Sequence, residues 1–290
     1  MAGRAALVLD GRTVDIHRAS GYRFGPAVAD VLAEWRPFLR WAAAHAPADT
    51  EADVDGKLGA PVPEPRQIFA VGLNYVDHAT ESGFVAPEKP IVFAKFPSAV
   101  CGPDETIELP TTTVDWEVEL VVVIGVGGHS IATEDASDHI AGVMVGQDLS
   151  ERTAQMQGQS PQFSLAKSHP KFAPTGPVLV TLDELPPLDA LHIECTLDGE
   201  TVQSASTTDM VFSVSDLISH ISATTTLLPG DLIFTGTPGG VGMGRVPVRY
   251  LYPGATLVSR VEGVGEIVQR FVSPPSAAAR TALSHSAEGG

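Results

Sequence analysis

Residues 114–125 read VDWEVELVVVIG, and residues 142–148 read GVMVGQD. The first run is a strand whose side chains alternate between two faces, so Glu117 and Glu119 project together while Val118 and Leu120 project away from them. Asp115 continues the same parity, outward. At Val121 these odd positions turn from acidic to apolar, which sets the carboxylates beside the buried part of the strand. Working outward, IFAVG (68–72), IVFAKF (91–96), PVLVTL (177–182), LHIECTL (191–197), DLIFTG (231–236) and ATLVSRVEGVGEIV (255–268) also read as strands. Helices are expected near 74–82, 149–157 and 213–225, the last opened by a capping box of Ser213 and Asp216. Helices do not alternate regularly with strands, which disfavours a doubly wound parallel sheet. The expected class is mostly β (α+β) with largely antiparallel pairing.

Upstream, residues 6–16 read as a hairpin turning at Asp10-Gly11. Val28, Val31, Leu32, Trp35, Phe38 and Leu39 then recur at helical spacing towards Ala46. A polar, Pro-rich joint (Asp49 to Asp55, then Pro61, Pro63 and Pro65) marks a boundary. The expected organisation is a small N-terminal α/β domain over 1–63, a catalytic domain over 64–273 and a disordered tail over 274–290. The chain has 290 residues and a formal charge of −17, which opposes nucleic-acid or anionic-membrane partners. No apolar run reaches the roughly 18–20 residues of a spanning helix, and Met1 to Asp10 is too short for a signal peptide. Cys101 and Cys195 make no disulfide framework, so a cytoplasmic location is expected.

Two adjacent carboxylates stay ionised when a cation lies between them. An all-oxygen set suits Mg²⁺ or Mn²⁺, with Ca²⁺ also open, better than zinc; the alternative is a solvated strand end. A third acid, Asp148, ends the second quoted strand. It reads either as a further ligand or as the N-cap of the helix at 149–157. Arg152 and Gln155 share a face of that helix, where Arg152 would bind a substrate carboxylate or pair at the surface. His78 and Glu81, at i and i+3, form a candidate general base with its orienting acid, or an ordinary exposed pair. The stretch GTPGGVGMG (236–244) departs from G-x-G-x-x-G at Arg245 and is a turn-rich loop.

The blocks IFAVGLNYVDHATESG (68–83), PIVFAKFPSAVCGP (90–103), VDWEVELVVVIG (114–125), GVMVGQDLSERTAQ (142–155), KSHPKFAPTGPVLVT (167–181), STTDMVFSVSDLI (206–218) and LLPGDLIFTGTPGGVG (227–242) closely resemble the fumarylacetoacetate hydrolase (FAH) superfamily. The resemblance implies an FAH-type mixed β-sandwich roll, a homodimer, and Glu117, Glu119 and Asp148 as metal ligands. It implies His78 and Glu81 as a water-activating dyad on a lid, Lys167 as a catalytic cation, and Arg152, Gln155, Thr237 and Lys95 at substrate-contacting positions. The founding hydrolases carry a further metal-binding Asp seven residues before the dyad His; here that position is Val71. The chain therefore resembles the acylpyruvate hydrolase, decarboxylase and hydroxymuconate isomerase-like branch. His169 stands where many relatives have an aromatic, as a tuning group beside the site or a surface change. The implied activity is Mg²⁺-dependent hydrolysis of a C–C bond in an acylpyruvate or related small oxo acid. Isomerisation or decarboxylation at the same metal site, or a repurposed non-hydrolytic role, are the alternatives.

Overall fold

The computed structural model describes residues 3–9, 11–44, 56–159 and 161–274 of the chain. A hairpin of β1 (Ala6–Leu9) and β2 (Arg12–Asp15) opens it, followed by α1 (Ile16–Ala19), α2 (Val28–Ala33) and α3 (Trp35–Ala44). Asp10, the first residue of the expected turn, lies outside the described residues, as do the acidic part of the joint and the tail from 275. The periodic stretch expected as one helix is interrupted at Glu34, the C-cap of α2. Trp35 and Phe38 nevertheless stay on the buried face, stacked with rings 5.4 Å apart. This unit packs on the rest of the chain: the position of a Cβ on Gly125 is 2.5 Å from the Trp35 ring. An apolar cavity of about 480 Å³ lies between it and the strand at 173–180.

The remaining strands are β3 (Ile68–Gly72), β4 (Ile91–Ala94), β5 (Val100–Cys101), β6 (Asp104–Glu108), β7 (Val114–Asp115), β8 (Val118–Ile124), β9 (Ile140–Gln147) and β10 (Ser150–Glu151). They continue with β11 (Ala173–Val180), β12 (His192–Leu197), β13 (Glu200–Ser206), β14 (Leu232–Phe234), β15 (Thr256–Val261) and β16 (Gly265–Val272). One sheet has the order β4-β3-β14-β8-β9-β11-β5, the other β13-β12-β15-β16-β6. Pairing is antiparallel except at β3/β14, β5/β11 and β6/β16. β8 and β9 contact β12, β15 and β16 across the interface, which makes a mixed, mostly antiparallel two-sheet β-fold. β8 and β9 are buried along their whole length, which explains why both read as continuous apolar runs rather than alternating ones.

Two expectations change. The stretch at 255–268 belongs to a hairpin, β15 and β16, turning through Glu262, Gly263 and Val264, where Gly263 adopts φ +74°. The helix expected at 149–157 is a short strand, β10, and one turn of helix, α5 (Arg152–Gln155). Glu151 caps α5 by accepting from Thr153 N and Ala154 N, so Asp148 is not its N-cap. The other short helices are α4 (Val76–Glu81), α6 (Phe163–Ala166) and α7 (Val214–Ser222). α7 begins with the expected Ser213–Asp216 box.

Candidate active site

Antiparallel register brings the acids together. Val118 of β8 faces Gln147 of β9, so the next residues outward, Glu117 and Asp148, are neighbours, and Asp148 N donates to Glu117 O at 2.9 Å. Glu119 lies two residues along the same face. The three carboxylates each bring one oxygen to within 4.8 Å of the others, and all three residues are buried. Asp115 departs from the expected parity, because the strand breaks at Trp116–Glu117. It belongs to β7, which pairs with β10, and it is buried rather than turned outward.

Cations surround this cluster. Lys167 Nζ donates to Glu117 Oε2 at 2.6 Å and to Asp148 Oδ2 at 2.8 Å. Lys95 Nζ donates to Asp148 Oδ1 at 2.5 Å and also to the Lys167 carbonyl. Arg152 reaches Glu117 Oε1 through Nη1 at 2.8 Å, so it is a buried group and not a surface partner. Burial opposes ionisation of Glu117, but the Lys167 and Arg152 charges outweigh it and hold the carboxyl down at about 2. Glu119 lacks such a partner: burial, then the Asp148 and Glu117 charges, push its carboxyl well above the ordinary range. Its one charge-relieving contact with the backbone is Gly236 N, at 2.8 Å. Burial also pulls the Lys95 ammonium down, with partial compensation from Asp148, whereas Asp148 and Glu117 outweigh burial at Lys167 and raise it.

These residues fit a divalent cation. Counting Asp115, the buried cluster holds four acids against Lys95, Lys167 and Arg152, and Glu119 is the acid with no ion-pair partner among the described residues. Carboxylate oxygens that accept one hydrogen bond keep a second lone pair, and three such oxygens are hard donors of the kind Mg²⁺ and Mn²⁺ take. Val71, at the position of the founding hydrolases' extra aspartate, is buried and apolar and adds no ligand.

A cavity of about 170 Å³ is lined by Glu117, Glu119, Arg152, Gln155, Lys167, Thr237 and His78, while Asp148 lies behind that lining. The rest of the lining is mostly apolar and includes Leu73, Phe84, Ile91, Phe93 and Phe163. Lys95 does not line it and acts from behind Asp148. His78 is buried, with Nδ1 3.0 Å from Glu81 Oε1. With the carboxylate accepting from Nδ1–H, Nε2 is the ring's remaining acceptor. Glu81 is itself held by Gly240 N at 2.8 Å and Val241 N at 3.3 Å. The glycine-rich loop thus receives the protein's own carboxylates, a role its sequence did not reveal. Gln155 Oε1 accepts from Arg152 Nη1 at 2.8 Å. The Thr237 hydroxyl donates to Val118 O and accepts from Gln203 Nε2; Gln203 also takes Val118 N. Thr237 therefore ties the loop to β8, with its proton already engaged. His169 packs its ring 4.9 Å from that of Phe172, outside the cavity lining, and burial lowers its pKa. Arg152 Nη2 is buried and has no hydrogen-bond partner among the described residues.

Residues 67–272 match the family model for the fumarylacetoacetate (FAA) hydrolase C-terminal domain, and the chain belongs to the FAH superfamily. The chain is 44% identical over 215 residues to the human mitochondrial oxaloacetate tautomerase FAHD2A, covering 73% of this chain and 68% of that protein. A crystal structure of a candidate HpcE protein from Mycobacterium smegmatis is 53% identical, with a TM-score of 0.91 over 95% of this chain and 98% of that one. Maleylpyruvate hydrolase from Sphingobium sp. SYK-6, solved with Mn²⁺ and pyruvate, is 27% identical with a TM-score of 0.76, covering 95% and 98%. The chain is thus an FAH-superfamily enzyme with a buried acidic triad able to take a divalent metal. Among the described residues no helix is long and apolar enough to cross a membrane.

Proposed function

We propose that the protein is a Mg²⁺- or Mn²⁺-dependent tautomerase of a small 2-oxo acid, moving a proton between the carbon beside the oxo group and the oxo oxygen. One observation carries this reading. Arg152 lines the cavity, is anchored through Nε and Nη1, and leaves Nη2 buried without a protein acceptor. An unpartnered buried donor costs about 1–3 kcal/mol, and a ligand carboxylate removes that cost with a charge-assisted bond.

A divalent cation held by Glu117, Glu119 and Asp148 would supply a Lewis acid for the oxo and carboxylate oxygens, stabilising enolate charge. Lys167 and Arg152 hold those acids in place, and Arg152 binds the substrate carboxylate. His78 Nε2 takes a proton from the carbon beside the oxo group, and its imidazolium is stabilised by Glu81. The same proton returns to the oxo oxygen to complete the enol; reversal gives the ketone. The cavity is smaller than the roughly 300–1,000 Å³ of drug-sized sites, which suits a short oxo acid. The 44% identity to an oxaloacetate tautomerase supports the same assignment and makes oxaloacetate the first substrate to assay.

Hydrolysis of an acylpyruvate is the second reading, favoured by the free Nε2 of His78, which would activate water as readily as it takes a carbon-bound proton. Tautomerisation is preferred because the curated relatives at 44% identity over 73% of this chain include an oxaloacetate tautomerase, whereas the maleylpyruvate hydrolase structure is 27% identical. The test follows the ultraviolet decay of enol-oxaloacetate with Mg²⁺ and with chelator. His78→Asn is expected to lower kcat about 10²–10⁴-fold with Mn²⁺ affinity unchanged. Wild-type activity that survives chelation, or full activity in His78→Asn, overturns the proposal. Rapid acylpyruvate cleavage without enol–keto catalysis replaces it with the hydrolase.

A further inference from the structure

Asp115 belongs to neither the acid triad nor the His78–Glu81 pair, and it does not line the cavity. It is fully buried, yet its carboxylate accepts four hydrogen bonds. Oδ1 takes Gly242 N at 2.7 Å and Trp116 N at 2.8 Å. Oδ2 takes Arg152 Nε at 2.9 Å and Met243 N at 3.0 Å. Those four donors fill the acceptor capacity of a carboxylate. The loop closes on it directly: a Cβ on Gly242 would lie 2.6 Å from Asp115 Oδ1 and 1.9 Å from Arg249 O.

Arg152 needs an outside anchor. It is the first residue of a four-residue helix, too short to fix a long flexible side chain. Its Nη1 is shared by Glu117 and Gln155, both at the cavity wall. With Nη1 alone held, the guanidinium could pivot about that point towards the acid triad. Holding Nε as well fixes the plane of the fork, and with it the direction of Nη2. We propose that Asp115 is a positioning residue that sets the guanidinium of Arg152 for the substrate carboxylate, before substrate arrives. This rests on the reading of Arg152 as the carboxylate-binding residue.

Asp115→Asn is nearly isosteric but offers one acceptor oxygen. If that oxygen serves Gly242 N and Trp116 N, the amide NH₂ faces Arg152 Nε and Met243 N, donor against donor. The expected result is a KM for the 2-oxo acid at least tenfold higher with a smaller change in kcat. Oxalate affinity of the Mn²⁺-loaded protein should fall at least tenfold by calorimetry, while Mn²⁺ affinity itself stays within about twofold. In an Arg152→Met background the Asp115→Asn change should have no further effect on oxalate binding. Unchanged oxalate affinity in folded Asp115→Asn overturns the proposal, as does an equal loss in the Arg152→Met background. A second measurement uses the unaltered protein and decides the matter if Asp115→Asn fails to fold. The Arg152 Nε–H resonance should be rigid on the fast timescale before oxalate is added, and an Nε–H that orders only with oxalate refutes pre-positioning. If Mn²⁺-loaded wild-type protein binds no oxalate, the 2-oxo acid reading itself fails, and this inference falls with it.

Discussion

Glu119→Gln should stabilise the metal-free protein and destabilise the metal-loaded one. Two unit charges 4.8 Å apart, the outer limit of the triad, repel by about 3.5 kcal/mol at an effective dielectric constant near 20. Glu119 faces two such charges, Asp148 and Glu117, with partial relief from Lys167 and Gly236 N. After that offset, a net gain of about 2 kcal/mol is expected for the neutral isostere in chelator at pH 8, or about 4–8 °C in Tm for a chain of this size. The sign with pH follows from the raised carboxyl. A group held above its ordinary value contributes its stability below that value and loses it as pH rises through the folded-state value. Metal-free wild type should therefore weaken as pH climbs above the ordinary glutamate range, and Glu119→Gln should weaken less. Mg²⁺ at a hundredfold excess over its dissociation constant adds about 2.7 kcal/mol to wild type, and the variant, short of one ligand, should lose most of that. Differential scanning calorimetry over pH 5–9, with chelator and with Mg²⁺, should show the order of the two proteins reversing. A variant less stable than wild type in chelator at every pH would refute the charge argument. An equal Mg²⁺ shift in both proteins would remove Glu119 from the metal site.

Lys167→Met leaves Glu117 and Asp148 buried without their shared ammonium. It should cost about 3–5 kcal/mol in chelator, partly restored by Mg²⁺, as read by urea unfolding. Gly242→Ala drives a methyl into Arg249 O and Asp115. It should cost about 2 kcal/mol or more and weaken oxalate binding, whereas Gly199→Ala, in open space at φ +83°, should affect stability alone. Trp35→Ala removes the ring that meets Gly125 and Phe38; about 3–5 kcal/mol is expected, without change in Mn²⁺ affinity.

Much of the site was written in local sequence. Glu117 and Glu119 share a face because strand geometry has period two. Ser213 and Asp216 cap a helix, and His78 meets Glu81, because such interactions span only three residues. The apolar runs of β8 and β9 announced buried strands because both of their faces are covered. Local reading left Asp148 and Arg152 with two readings each; the resemblance to FAH enzymes favoured the site role for both and added Lys167, which lies too far from Glu117 for local spacing to join.

Tertiary structure alone decided the rest. The break at Trp116–Glu117 turned Asp115 inward, and no alternation rule anticipates where a strand stops. The antiparallel β8/β9 register, set by pairs from Ile124 with Ile140 out to Val118 with Gln147, put Asp148 beside Glu117 and left α5 to be capped by Glu151. Lys95, expected at a substrate-contacting position, is a fully buried partner of Asp148 that does not line the cavity. The glycine-rich loop matched no ligand motif because its ligands are Glu81, Asp115 and Glu119 of the same chain. Composition and periodicity record what each segment buries; which buried charges meet depends on register and loop closure, and those are settled only when the whole chain packs.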